Sequence, residues 1–107
     1  MRRRAVAPPR RWSIRAGSSG GDGKARLRGT AAHAGLEPER GRSAVVAASR
    51  AISAMRLGRV DEATTANVGI VEGGVATNIV PERCVVQAEA RSRDPERLAA
   101  QVADMLE

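Results

Sequence analysis

Apolar residues recur along this chain with two different periods, and the order of these periods restricts the fold more than any other feature. Alternation with period two marks half-buried strands at residues 25–31, 65–72 and 84–91. Spacings of three and four mark amphipathic helices, one after the N-cap Ser43 and one after Asp94-Pro95. The order β-α-β-β-α predicts an α+β fold, a ferredoxin-like βαββα(β) two-layer sandwich with both helices on one face of an antiparallel sheet. A further strand would complete that fold, and we predict that this last strand is missing.

The apolar positions of each element define the face that we expect to be buried. The two later strands contribute Ala66, Val68 and Ile70, and Cys84, Val86, Ala88 and Ala90. The two helices contribute Val45, Ala48, Ile52 and Met55, and Leu98, Val102 and Met105 or Leu106. Gly58 follows the first helix, where a left-handed residue is favoured. Because Phe and Tyr are absent, this core buries little area per residue, and we expect a partner to add stability.

Most of the formal charge of +6 lies near the N-terminus. Residues 1–23 carry six arginines against one acidic residue, with Pro8-Pro9 and a Gly/Ser run from Gly17. We predict that residues 1–23 form a disordered basic arm and linker and that residues 24–107 form the folded domain. Residues 24–107 carry twelve basic and eleven acidic side chains and no aromatic one. A nucleic-acid binder using the arm is one alternative, but this near-neutral body without stacking residues predicts no nucleic-acid partner.

Cysteine usage and hydropathy indicate the compartment. Cys84 is the single cysteine, which excludes an internal disulfide and fits a reducing environment. No apolar run is long enough to span a membrane, and Arg2–Arg4 is followed by Pro8-Pro9 rather than by the apolar region of a signal peptide. These features predict a cytoplasmic protein without a membrane partner.

The chain has no recognisable active site of its own. It contains one histidine and one cysteine, and no H-x-D, H-E-x-x-H or C-x-x-C pairing, so we expect no cofactor and no metal within this chain. Three polar residues have unusual positions: His33 among small neighbours after the first strand, Asn78 in a constrained connection, and Arg91 at a strand end. From the residues alone, these remain open to simpler interpretations as a loop histidine, a turn asparagine and a solvated arginine.

Three motifs carry a family resemblance. They are GTAAHAGLEPERGRSA at Gly29–Ala44, TTANVGIVEGGVATNIVPERC at Thr64–Cys84 and EARS at Glu89–Ser92. In this order they closely resemble the dimerisation, or lid, domain of tripeptidase T-like zinc exopeptidases, a superfamily that includes aminoacylases, desuccinylases and carboxypeptidases. The resemblance covers residues 25–107.

The resemblance implies that the metal site and the dimer interface belong to different domains. A catalytic domain, missing here, would bind two zinc ions and the peptide substrate, while two lid domains would pair as a homodimer. His33 would enter the partner's active site and donate a hydrogen bond to the oxyanion, Asn78 would contact substrate nearby, and Arg91 would hold a substrate carboxylate. We therefore expect the chain alone to be inactive. The alternative is a non-catalytic βαββα module for binding or self-association.

Overall fold

The computed structural model describes residues 11–16 and 20–106. Five strands and two helices follow one another along the chain: β1 Arg11–Ala16, β2 Gly20–Arg28, α1 Ala44–Ala54, β3 Gly58–Arg59, β4 Thr64–Gly73, β5 Arg83–Ser92 and α2 Pro95–Leu106. A 3-10 turn, Pro38–Arg40, lies between β2 and α1. Neither helix, nor any other in the described part of the chain, has the length and apolar character needed to cross a membrane.

The strands form one antiparallel sheet in the order β1-β2-β5-β4-β3. The central strand β5 lies between β2 and β4, and both helices pack against it. This arrangement confirms the predicted α+β two-layer sandwich. In a ferredoxin-like sheet the fourth strand pairs with the first, and here that place beside β2 is occupied by β1.

Two strands begin before the predicted boundary at residue 24. Residues 11–16 form β1, and β2 begins at Gly20, whereas residues 1–10 and 17–19 of the predicted arm lie outside the described residues. Gly20 to Gly23 pair with Arg91 to Ala88 of β5. A Gly-rich composition favours coil because glycine loses much backbone entropy on folding. Here the backbone of these residues pairs with β5 through inter-strand hydrogen bonds, which require no particular side chain.

Two small hydrophobic clusters join the helices to the sheet. Ala44, Ala47 and Ala48 of α1 pack on Leu27, Val86 and their neighbours, and Leu98 and Met105 of α2 pack on alanines of β4 and β5. The predicted buried face of β5 is confirmed, since Cys84, Val86, Ala88 and Ala90 are all buried. Of the predicted stripe of α1, Ala48 is fully buried, and Val45 and Ile52 are partly buried against the same cluster. The fully buried positions of this helix are its alanines Ala44, Ala47 and Ala48.

The predicted helix starts are also confirmed. Ser43 Oγ accepts a hydrogen bond from Val46 N at 3.1 Å, and Asp94 Oδ1 accepts one from Glu96 N at 3.0 Å. Each cap satisfies a backbone N–H that has no partner within its own helix. Gly58 does adopt a left-handed φ of 79°, but α1 already ends at Ala54, so this glycine begins β3 instead of closing the helix.

A β-bulge changes the expected face of β4. Val68 pairs with Ala88 and Ile70 with Gln87, so Gly69 is an extra residue on β4. After the bulge, Val71 pairs with the buried Val86, while Ile70 lies on the open face of the sheet and is 45% exposed. The prediction that Ile70 shares a face with Ala66 and Val68 is therefore wrong, because one inserted residue reverses the alternation.

Candidate functional site

Two loops at the same end of the sheet bring His33 and Asn78 together. His33 lies in the connection after β2, Asn78 lies in the connection between β4 and β5, and the two connections form an antiparallel bridge at His33 and Ile79. Ala34 N donates to Asn78 O, and Val80 N donates to Ala32 O, each at 2.8 Å. Two of the three predicted site residues are thus neighbours, held by backbone hydrogen bonds.

Two glycines permit the close packing of these loops. Thr30 and Arg42 exchange two backbone hydrogen bonds of 2.9 Å, and a Cβ on the adjacent Gly29 would lie 1.9 Å from Arg42 O. A Cβ on Gly41 would lie 2.8 Å from the side chain of Val80. Any side chain at Gly29 would force the two backbone segments apart. The loop that carries His33 is consequently fixed at both ends.

The half-buried imidazole of His33 has its two nitrogens in different surroundings. Nδ1 accepts hydrogen bonds from Gly35 N and Leu36 N, both at 3.1 Å. Glu37 N donates to the carbonyl of His33 at 3.0 Å, which closes the turn. Nε2 has no hydrogen-bond partner among the described residues. The ring is held at one nitrogen by its own backbone and is available for an external partner at the other.

The side chain of Asn78 is exposed at the tip of a turn. Ile79 N donates to Ala76 O at 3.3 Å, and this bond places Thr77 and Asn78 at the two central positions of the turn. Within residues 20–106 the Asn78 carboxamide makes no hydrogen bond, so it does not close an Asx-turn on its own backbone. Its donor and acceptor groups are available to a second molecule.

Arg91 lies at the opposite end of the sheet. It pairs with Gly20 and Thr65, whereas the loops of His33 and Asn78 adjoin Arg83 at the start of β5. Arg91 lies eight positions after Arg83 along β5, which is about 26 Å at ~3.3 Å per residue. The Arg91 guanidinium is 72% exposed and contacts Glu89 Oε2 at 3.2 Å, a surface pair that contributes little to stability. A single chain therefore does not unite all three predicted residues.

Sequence reasoning missed the two backbone donors that hold His33. The N–H groups of Gly35 and Leu36 define which imidazole nitrogen faces outward, yet they belong to residues whose side chains suggest no such role. The sequence does contain one feature that favours this turn. Gly35 lies two positions after His33, and a residue without a side chain lets the backbone fold closely over the imidazole.

A zinc centre does not fit the described residues. No group of three or more His, Cys, Asp or Glu side chains lies close enough to hold a metal within residues 11–16 and 20–106. Structural and catalytic zinc sites need three or four such ligands. Cys84, the one thiol, lies 1% exposed in the core beneath α1.

Most of the chain matches one family. Residues 17–107 match the Peptidase dimerisation domain. The chain belongs to this family. The match begins before residue 24, in agreement with the strand that starts at Gly20.

Curated relatives of this M20 peptidase dimerisation domain are much longer proteins. The uncharacterised protein YqjE of Bacillus subtilis is 56% identical over 82 residues, which cover 77% of this chain and 22% of YqjE. The indole-3-acetyl-aspartic acid hydrolase of Enterobacter agglomerans is 38% identical over 65 residues, covering 59% of this chain and 15% of that hydrolase. The matched segments thus span only 22% and 15% of the length of these two relatives.

Solved structures of peptidases contain the same domain. Aminopeptidase PepT from Bacillus cereus superposes with a TM-score of 0.79 and 41% identity, covering 94% of this chain and 27% of PepT. A tripeptidase from Staphylococcus aureus superposes with a TM-score of 0.78 and 43% identity, covering 94% of this chain and 26% of the tripeptidase. The fold and family of the domain are therefore shared with peptidases that carry other parts in addition.

Proposed function

We propose that this dimerisation domain is the lid of a zinc-dependent exopeptidase that removes residues from short peptides. The observation that carries the proposal is the placement of His33, with Nδ1 held by its own turn and Nε2 available beside the exposed Asn78. The likeness to PepT and to a tripeptidase supports the choice of a peptide substrate. In this proposal two zinc ions belong to a separate catalytic domain, since the described residues supply no ligand set.

The contribution of this chain to the reaction is electrostatic. When a peptide carbonyl is attacked, its oxygen gains negative charge, and a hydrogen-bond donor already aimed at that oxygen lowers the barrier. His33 Nε2–H would be that donor, and the loss of one such donor typically costs about 3 kcal/mol. The Asn78 carboxamide, carried on the neighbouring loop, would orient the substrate near the same oxygen.

The distance between Arg91 and His33 favours a site assembled from two chains. In a two-fold dimer, the His33 and Asn78 end of one lid would reach the active site of its partner. Arg91, at the other end of the sheet, would serve the active site of its own chain by binding a substrate carboxylate with its two-pronged guanidinium. Its ion pair with Glu89 is solvent-exposed and would be readily exchanged.

Two adjoining features support homodimerisation. A shallow groove on the outer face of α1 is lined by Val46, Ser49, Arg50, Ser53 and Ala54. Ser49 and Ser53 each donate their hydroxyl to a backbone carbonyl of the helix at 2.8 Å. These two hydroxyl groups therefore need no hydrogen-bond partner from a second molecule. In the described part of the chain, β3 pairs only with Thr65 and Ala66, which leaves the outer edge of β4 open beyond residue 66.

The decisive experiment is His33→Ala in a full-length enzyme that carries this lid. We expect turnover to fall by roughly a hundredfold, while metal content and dimerisation are unchanged. Because the donor would act across the dimer, mixing His33→Ala chains with chains lacking a metal ligand should partly restore activity. No recovery after confirmed subunit exchange would refute the trans-acting role, and unchanged turnover of His33→Ala would refute the oxyanion role.

The second candidate is a non-catalytic module for binding or self-association. It is favoured by the groove on α1 and by the edge of β4 left open in the described part of the chain, since both suit self-association without catalysis. This candidate predicts that the chain self-associates while His33→Ala changes no activity. Under both candidates we propose a cytoplasmic protein without a nucleic-acid partner, in keeping with one buried thiol and the near-neutral charge of residues 24–107.

A further inference from the structure

The turn after His33 controls where the imidazole proton resides. Nδ1 lies 3.1 Å from two backbone N–H donors, those of Gly35 and Leu36. A nitrogen that accepts hydrogen bonds carries no proton, and a neutral imidazole has its single proton on the other nitrogen. We infer that the Ala34–Leu36 turn is a positioning device that holds neutral His33 in the Nε2–H tautomer and orients its ring.

This tautomer decides what His33 can do chemically. With Nδ1 occupied and the proton on Nε2, the neutral ring has no free lone pair for a metal ion or for a substrate proton. It retains a single outward-facing function, donation of a hydrogen bond from Nε2. The turn thus selects a fixed donor over a general base or a metal ligand.

The turn is rigid enough to impose this choice. Glu37 N donates to His33 O at 3.0 Å, so the backbone closes around the residue as well as onto its ring. A Cβ on Gly35 would lie 3.4 Å from Cε1, which shows that the ring packs directly over the backbone of this glycine. On the other side, the bonds of Ala34 N to Asn78 O and of Val80 N to Ala32 O anchor the segment to the neighbouring loop.

Because His33 is the only histidine, its tautomer can be measured in the unmodified chain. We expect long-range proton–nitrogen NMR spectra, recorded at a pH high enough to keep the ring neutral, to show an unprotonated Nδ1 and a protonated Nε2, without tautomer averaging. We also expect scalar couplings through the hydrogen bonds, joining Nδ1 to the amide nitrogens of Gly35 and Leu36. Averaged ring nitrogens, or a protonated Nδ1, would overturn the inference without any need for a variant.

A matched pair of substitutions tests the turn itself. Leu36→Pro removes one N–H donor, whereas Leu36→Ala keeps it and removes only a side chain that is 80% exposed. We expect Leu36→Ala to retain the wild-type pattern, and Leu36→Pro to shift both ring nitrogens toward the tautomer average while the amide spectrum of the sheet is preserved. An unchanged ring spectrum in a folded Leu36→Pro would contradict the inference. If Leu36→Pro does not fold, the through-bond couplings in wild type decide the matter.

The tautomer of His33 and its proposed catalytic role are tested by different measurements, so one can be refuted without the other. The spectra report on the ring whether or not His33 contacts an oxyanion. A fixed Nε2–H tautomer combined with full turnover of His33→Ala would reject the catalytic role and leave the positioning device intact.

Discussion

The hydroxyl oxygens of Thr64 and Ser92 lie 2.8 Å apart, at directly opposite positions of β4 and β5, and both side chains are buried. Ser92 Oγ also accepts from Asp94 N at 3.1 Å. These two contacts join the start of α2 to the first residue of β4.

Removing one hydroxyl of this pair should destabilise the domain. Thr64→Val is nearly isosteric but leaves the buried Ser92 hydroxyl without one partner, so we expect the free energy of unfolding to fall by about 1–3 kcal/mol. Urea denaturation followed by circular dichroism measures the change. The double variant Thr64→Val/Ser92→Ala provides the control and should cost less than the sum of the two single variants. Strict additivity would show that the two hydroxyls are not coupled.

The acid stability of the domain should depend on Asp61. Hydrogen bonding from the Ala63 backbone, at 2.8 Å, lowers the pKa of this carboxyl, assisted by Thr64 and by Arg97. A lowered pKa stabilises the folded state above the ordinary carboxyl pKa, and this contribution is lost as pH falls through the native value.

Asp61→Asn keeps an acceptor for Ala63 N–H but removes the charge. We expect the urea midpoint of this variant to change less between pH 7 and pH 3 than that of wild type. Asp61→Ala is the control, because it removes the turn hydrogen bond as well and should lower stability at both pH values. If the urea midpoints of wild type and Asp61→Asn change with pH in parallel, the Asp61 carboxylate does not contribute to the acid stability of the domain.

The thiol of Cys84 should react only when the domain opens. Burial raises the pKa of this thiol, and the side chain is 1% exposed, so both ionisation and access are suppressed. At pH 8 we expect an aromatic disulfide reagent to modify the native chain at least about a hundredfold more slowly than the chain in denaturant. Because the native pKa is raised, the thiol's contribution to stability should decline as pH rises through it. Rapid modification in native buffer would disprove the burial.

The outer face of α1 should mediate self-association. Val46, 44% exposed, lies in this groove together with Arg50, four residues later on the same face of the helix. Val46→Arg puts a second positive charge beside Arg50, and in an interface between two copies these like charges repel, so the dimer should weaken at least about tenfold. Analytical ultracentrifugation measures this shift. Ala103→Arg on the exposed face of α2 is the matched control and should associate like wild type. An identical distribution for both variants would place the interface elsewhere.

Local sequence signals predicted the caps, the helices and the central strand well. Ser43 and Asp94 cap as expected because an N-cap depends only on a side chain and the next few backbone groups. The alternation of β5 is uninterrupted, so its buried face follows directly from residue type. His33 and Asn78 belong to different motifs and become neighbours only through the pairing of their two loops. Their roles in a reaction stay predictions until the substitutions are made.

The sequence by itself determined the two helices, the three longest strands β2, β4 and β5, the order of these five elements and most of the buried positions, since periodicity and capping act over a few residues. It did not predict β1 or β3. Only the tertiary structure decided the register. The bulge at Gly69 turns Ile70 outward, and Gly20–Gly23 become a strand because β5 lies beside them. It also decided that Arg91 lies a strand length from His33, and that two backbone amides select which nitrogen of His33 faces outward. These features depend on pairing between distant segments or on how the backbone turns back onto a side chain, and neither leaves a periodic trace in the sequence.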